Sequence, residues 1–241
     1  MDIKNGRTVK GVCFEQIKDA GDPVALAKIY AATGADELVF LDITATIEKR
    51  KTLLQLVEKV AAGINIPFTV GGGISTVEEA KAVVHAGADK ISINSSAVKN
   101  EMLISSIAAQ LGSQCVVVAI DARLVNGQWN VFINGGRTDT GMPVTGWALR
   151  AEALGAGEIL LTSMNNDGVQ DGFAIGLNKE VSAAVRIPVI ASGGAGRREH
   201  FFEVFTQTTV SAALAASVFH FGHIAIPELK QYLKTQNIAI R

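Results

Sequence analysis

Two aspartates and two glycine turns recur in this sequence at nearly one spacing, and together they describe a site. Asp2, in Asp2-Ile3-Lys4-Asn5-Gly6, has a counterpart 119 residues later in Asp121, within Asp121-Ala122-Arg123-Leu124-Val125-Asn126-Gly127. Ile66-Pro67-Phe68-Thr69-Val70-Gly71-Gly72-Gly73 is echoed 121 residues on by Ile187-Pro188-Val189-Ile190-Ala191-Ser192-Gly193-Gly194. Two carboxylates on opposite sides of a bound molecule suit general acid–base chemistry, because one can be protonated while the other is ionised. Glycines that close a strand let backbone N–H groups approach an anion, and the following helix N-terminus adds its dipole. Alone, an Asp at a strand end caps a turn and a glycine pair merely punctuates the chain. The duplication is what points to a ligand with phosphate at both ends.

These residues need elements to position them. Apolar, β-branched runs without alternation, the pattern of strands buried on both faces, occur at Leu38–Asp42, Pro67–Val70, Lys90–Ile93, Cys115–Asp121, Ile159–Thr162, Val189–Ala191 and Ala212–Ala215. Helical patterns alternate with them at Thr52–Ala62, Val77–Ala86, Glu101–Leu111, Gly146–Leu154, Asn178–Val185, Arg197–Phe205 and Pro227–Thr235. Asp22-Pro23 reads as an N-cap with Pro at the first helical position, and Ser75-Thr76-Val77-Glu78-Glu79 as a capping box. Strands alternating with helices in a repeated half predict one (β/α)₈ barrel over residues 1–241, with half-barrels at about 1–118 and 119–241. A doubly wound open sheet is the alternative, and the repeat argues against it. Seven strands is one short. By the repeat, Asp2 should end the eighth, yet only Met1 precedes it. The first strand is therefore expected to be all but missing from the sequence as it stands.

The C-terminal strand ends of such a barrel form its active face. They bring together Asp2, Asp42, Thr69, Ser92, Asn94, Asp121, Thr162 and Ser192. Gly73 with Asn94-Ser95 is the first candidate phosphate cradle, and Gly194 with Ala216-Ser217 the second. Asp167-Gly168 adds a polar turn beside the second. Asn5–Gly21 reads as a long loop that could act as a lid, with Lys10 as a candidate contact for an anionic substrate. At the other end of the strands, Glu37, Lys90 and Glu158 would form a mixed-charge ring at the barrel floor, either a set of structural salt bridges or a gate for something small.

Composition fits this picture. Hydrophobic residues are 48% and charged residues 19%, enough for a sizeable core. A formal net charge of -1 argues against nucleic acid or an anionic membrane as the main partner. Cys13 and Cys115 form neither a metal-binding pattern nor a disulfide framework, no signal peptide is visible, and no apolar run approaches the length of a bilayer span. A cytoplasmic setting is expected.

The sequence resembles the cyclase subunit of imidazole glycerol phosphate synthase, a histidine-biosynthesis barrel family. The resemblance runs from Asp2 to about Leu233. It rests on Asp2-Ile3-Lys4-Asn5-Gly6-Arg7-Thr8-Val9-Lys10-Gly11, Leu38-Val39-Phe40-Leu41-Asp42-Ile43-Thr44-Ala45, Phe68-Thr69-Val70-Gly71-Gly72-Gly73-Ile74, Gly155-Ala156-Gly157-Glu158-Ile159-Leu160-Leu161-Thr162 and Ala191-Ser192-Gly193-Gly194-Ala195-Gly196. It implies that ammonia adds to a two-phosphate ribotide, PRFAR, and that the adduct cyclises and cleaves to imidazole glycerol phosphate and the ribotide AICAR. It implies Asp2 and Asp121 as the acid–base pair and Lys10 as a loop lysine near substrate. It further implies Glu37, Lys90 and Glu158 as the gate for ammonia from a glutaminase partner in a heterodimer, with no metal or organic cofactor. A sister isomerase of the same pathway shares the repeat and the paired Asp. Asn165, Ala174 and the stretch Thr206 to Ser211 depart from the family pattern.

Overall fold

The computed structural model describes residues 1–12, 15–43 and 54–241, and within 10–18 the backbone alone. Cys13, Thr44, Ala45, the start of the helix expected from Thr52, and the side chain of Lys10 lie outside the described residues. A 12-stranded sheet organises the chain. Its strands are β1 Asp2–Lys4, β2 Arg7–Val12, β3 Glu15–Gly21, β4 Leu38–Asp42, β5 Phe68–Gly71, β6 Lys90–Ile93, β7 Val116–Val125, β8 Gln128–Ile133, β9 Thr138–Pro143, β10 Glu158–Ser163, β11 Val189–Ser192 and β12 Ala212–Leu214. Eight of these pair in parallel in the order β1-β4-β5-β6-β7-β10-β11-β12, each beside its predecessor in the chain. Helices follow the strands, and the architecture is a (β/α)₈ barrel.

The buried runs became strands for a plain reason. Ile91, Ile93, Val116, Val118, Ile120, Ile159 and Leu161 are almost fully sealed from solvent and join one core with helix residues such as Val60, Val83, Ile104, Ile107, Leu177 and Val181. Parallel strands covered on both faces have no solvent side on which to carry polar residues. Helix starts follow the sequence signals. Asp22 Oδ1 accepts the Ala25 N–H at 2.8 Å ahead of Pro23, and Thr76 and Glu79 form the capping box before Val77–His85.

The two ends of the parallel ladder are drawn together by side chains nearly a whole chain apart. Tyr30, on the helix Pro23–Ala32, puts its hydroxyl 2.5 Å from His220 Nδ1, and burial pushes its pKa up to about 12. Lys230, on the helix Ile226–Thr235, donates to Asp36 at 2.8 Å.

Two parts of the sequence reading need amending. The first strand is short rather than missing. Asp2 and Ile3 pair in parallel with Leu41 and Asp42, the Met1 amino group bonds the Val39 carbonyl, and the Ile43 N–H donates to Ile3 O at 3.2 Å. Three residues suffice to carry Asp2 to the level of the C-terminal end of β4. The second amendment is to Asn5–Gly21, which is not a loop. Its residues form β2, antiparallel to β1, and β3, antiparallel to β2. The second half carries the same device in β8 and β9, which the sequence reading passed over. Both arms turn on Asn-Gly: Asn5 and Gly6 have φ of 51° and 74°, Asn126 and Gly127 of 50° and 83°. Paired left-handed residues of this type make the turn whose twist matches a hairpin. The repeat therefore extends to a two-stranded arm after the first strand of each half.

Close approach explains one glycine at the barrel floor. A Cβ on Gly157 would sit 2.1 Å from the Ser113 carbonyl oxygen, while one on Gly146, exposed in the helix Val144–Ala153, would meet nothing within 4 Å. Gly157→Ala is expected to cost about 2–4 kcal/mol through backbone displacement, and Gly146→Ala to stabilise by about 0.5–1 kcal/mol through helix propensity. Urea denaturation of the two variants checks both signs.

Candidate active site

The site lies where the parallel strands end. Register places Thr162 of β10 between Asp121 of β7 and Ser192 of β11, on one level of the rim. Asp2 reaches the same rim from the far side through its pairing with Leu41. Asp121 is half-buried, and Asn94, just past β6, donates from Nδ2 to its Oδ2 at 2.9 Å. Burial pushes the Asp121 carboxyl up to about 7. The negative charges of Asp167 and Asp2 add to the rise, and the Asn94 hydrogen bond opposes it. A carboxyl held this way is half protonated at neutral pH, the condition a general acid needs.

The two cradles are built differently. In the first, Gly72 and Gly73 follow β5 with φ of 94° and 75°. A Cβ on Gly72 would fall 2.2 Å from the Asp42 carbonyl oxygen, so close packing on β4 already requires glycine there. Ser95, buried at the start of the short helix Ser95–Lys99, accepts the Asn134 N–H on its Oγ at 2.8 Å. Its hydroxyl proton stays available to a ligand. Asn134 belongs to the tip of the β8–β9 arm, where Asn134, Gly135 and Gly136 all have positive φ, and Lys99 Nζ donates to its Oδ1 at 3.0 Å. The sequence reading missed this tip, although Asn-Gly-Gly between two apolar runs is a hairpin signal.

In the second half, the segment after β10 folds over the glycines after β11. Gly172 N–H donates to Gly194 O at 2.8 Å, and a Cβ on Gly194 would lie 2.0 Å from Gly172 O. Asp167 and Gly168 sit in the turn at the start of this segment, with the Asp167 N–H on Ser163 O at 3.0 Å. Gln170 Nε2 reaches Ser217 Oγ at 3.5 Å, directly after Ala216 and at the start of the helix Ser217–His220. The structure thus gathers Asp167, Gly168, Gly194, Ala216 and Ser217 at one end of the rim, and Gly73, Asn94 and Ser95 at another. Lys10 falls in β2, the strand that pairs with β1.

The departures from the family pattern have physical readings. Asn165 Oδ1 accepts the Leu124 N–H at 3.0 Å, an acceptor role an acidic residue would also fill. Ala174 precedes the helix Ile175–Ala184 without a side-chain cap, which an Asp in its place would supply. Thr208 and Thr209 tie off the segment before β12 through Val204 O and Ser182 Oγ.

On the opposite face Lys90 Nζ sits 2.9 Å from Glu37 Oε2 and 2.6 Å from Glu158 Oε1. These residues stand at the start of β4, β6 and β10, alternate strands of the barrel, so the bridge crosses its interior. Burial works against the Lys90 ammonium, but the hydrogen bonds it donates to Glu158 and Glu37 outweigh it and the pKa is raised. Glu37, Lys90 and Glu158 are thus joined by two ion pairs at this face. Among the described residues no group of three or more His, Cys, Asp or Glu is placed to hold a metal ion, and no helix is long and apolar enough to cross a membrane.

With this geometry in view, comparison with known proteins decides the family. Residues 1–225 match the profile of the histidine biosynthesis protein family. The chain belongs to that family. It is 58% identical over 241 residues to a protein of Elusimicrobium minutum, 55% over 242 to one of Bacillus cereus and 56% over 242 to one of Hydrogenobaculum. All three relatives are named imidazole glycerol phosphate synthase subunit HisF, and each alignment covers 100% of this chain and 96% of the relative.

The raised Asp121 pKa carries a stability consequence. Between pH 4 and 7 the unfolded chain ionises this group while the folded chain keeps it protonated, so the group's contribution falls as pH rises through that window. Asp121→Asn is expected to stabilise the fold by roughly 2–4 kcal/mol at pH 8 and to have little effect at pH 3.5. Denaturation midpoints at the two pH values test this.

Proposed function

We infer that this chain performs the cyclase reaction of histidine biosynthesis, joining ammonia to PRFAR and releasing imidazole glycerol phosphate and AICAR. The observation that carries the reading is the coupled pair of rim carboxylates, Asp2 and Asp121, with Asp121 titrating at about 7. The names of the relatives point the same way.

In this reading PRFAR lies across the rim. One phosphate meets Gly73, Asn94 and Ser95, and the other meets Gly194, Ala216 and Ser217, with Asp167 and Gly168 beside the ribose. Thr162 and Ser192 lie between them. Asp121, half protonated at neutral pH, gives its proton to the departing side of the substrate as ring closure and cleavage proceed. Asp2, across the mouth, takes up the proton that the incoming nitrogen sheds. Asn94 keeps the Asp121 carboxyl turned toward the mouth and holds its proton affinity in the useful range. Lys10 adds positive charge from the arm that follows Asp2.

The relatives' names call each of them a subunit, and this chain is one part of a larger enzyme. We propose that the other part is a glutaminase docked on the face that bears Glu37, Lys90 and Glu158. Ammonia would pass along the barrel axis when one of the two Lys90 ion pairs parts.

Asp121→Asn is expected to lower turnover of PRFAR with ammonium salt by at least about 100-fold while PRFAR binding is retained. Wild-type-like turnover would refute the acid–base assignment. The same assay without ammonium separates the sister isomerase, whose conversion needs no ammonia.

A further inference from the structure

Gly172 sits at the centre of a clamp that no substrate group needs to touch. Its carbonyl accepts Asn166 Nδ2 at 2.9 Å, and its N–H donates to Gly194 O at 2.8 Å. Its Cα faces the buried His200 ring, whose Cδ2 lies 3.7 Å from where a Gly172 Cβ would be. His200 Nδ1 in turn accepts the Gly196 N–H at 3.1 Å. The other end of the Asn166 amide is also engaged, since the fully buried Ser163 hydroxyl donates to its Oδ1 at 2.7 Å. One side chain therefore spans the segment from the last residue of β10 to Gly172, and through Gly172 it reaches the glycines after β11.

The surroundings leave this arrangement little freedom. A Cβ on Gly193, Gly194 or Gly196 would lie 2.7, 2.0 or 2.0 Å from the carbonyl oxygens of Ser163, Gly172 and Gln170 respectively. Backbone meets backbone along the whole seam, so a small shift of one strand end must move the other. Gln170 holds φ at 67°, a left-handed value that a non-glycine residue adopts at a cost when its neighbours impose it. Asp167 follows Asn166 immediately, and its N–H is fixed on Ser163 O.

We propose that Asn166 is a positioning residue for the second phosphate cradle: by tying Ser163 to Gly172 it fixes where the Gly193–Gly194 backbone and the Asp167–Gly168 turn meet the substrate. The proposal rests on the cyclase reading and deepens it. Asn166 does not touch the reacting atoms in this account. It acts through Gly172.

The test is steady-state kinetics on the full chain, with PRFAR varied at saturating ammonium salt, beside thermal unfolding. Loss of two hydrogen bonds to a cradle used alike in ground and transition states should raise KM and spare kcat. Asn166→Ala is expected to raise KM roughly 10–100-fold with kcat within about threefold of wild type. Asn166→Asp keeps the acceptor for Ser163 but presents a carboxylate to Gly172 O, and should match Asn166→Ala. Ser163→Ala removes one of the two bonds and should give a smaller rise in KM. A KM within about twofold of wild type in Asn166→Ala, or a fall in kcat at constant KM, would overturn the proposal. If Asn166→Ala does not unfold cooperatively, unchanged KM in both Asn166→Asp and Ser163→Ala overturns it. Should wild-type protein fail to convert PRFAR, the cyclase reading falls and inorganic phosphate decides the clamp. Phosphate should raise the wild-type unfolding midpoint and raise it less in Ser163→Ala and Asn166→Asp. Equal shifts, or no shift in wild type, would refute the cradle.

Discussion

Three carboxylates, those of Asp2, Asp121 and Asp167, are made to share one rim, and the cost of that sharing shapes the site. A barrel of parallel strands leaves them no alternative. Every strand ends on the same face, so polar residues placed at strand ends must converge. Burial already disfavours charge on Asp121, and the two neighbouring charges disfavour it further. Asn94 is the counterweight, and without it the group would titrate higher still. The proton affinity of the mouth is thus set first by the burial of Asp121, then by the charge of Asp167, with Asp2 of the other half adding a smaller push. The opposite face solves the same crowding differently, by placing one lysine between two glutamates.

The parallel strands were legible because their residues have one environment. Leu38–Asp42 and Lys90–Ile93 form strands with the limits expected, and the other buried runs differ only at their ends. The arms were not legible for the opposite reason. Arg7–Val12, Glu15–Gly21 and Thr138–Pro143 mix charged, polar and small residues, so no apolar period marks them. Their Asn-Gly turns were in plain view, and the change in repeat offset from 119 to 121 was itself a sign that the two arms differ in length. β1 was hard to see because three residues carry no period at all. Its place is fixed by β4, which supplies the partner groups.

The glycines teach a narrower lesson. Read as sequence, Gly72 and Gly194 suggest room for an anion. In the fold both are first demanded by backbone that passes within contact distance, at Asp42 and at Gly172. The two demands are compatible, since a turn stripped of Cβ atoms to admit a neighbouring carbonyl also presents bare N–H groups on its other side. The requirement for glycine therefore says little by itself about the ligand. The polar groups gathered next to each turn, Asn94 and Ser95 in one half and Asp167 and Ser217 in the other, say more. Asn166 and His200 escaped the sequence reading because each holds a main-chain group, Gly172 O and the Gly196 N–H, and such partners leave no pattern in side-chain identity.

The bonds Tyr30–His220 and Asp36–Lys230 join residues 190 and 194 positions apart, whereas each parallel strand pairs with a near neighbour in the chain. During synthesis the helix Pro23–Ala32 must therefore wait, with one flank uncovered, until His220 and Lys230 have left the ribosome. Closing so long a loop adds little entropy beyond that of a loop half its length, because the cost grows only logarithmically. The burden is temporal: the barrel spends its assembly as an open sheet whose first and last units lack their final neighbours, a state that exposes strand edge and apolar helix face to other chains.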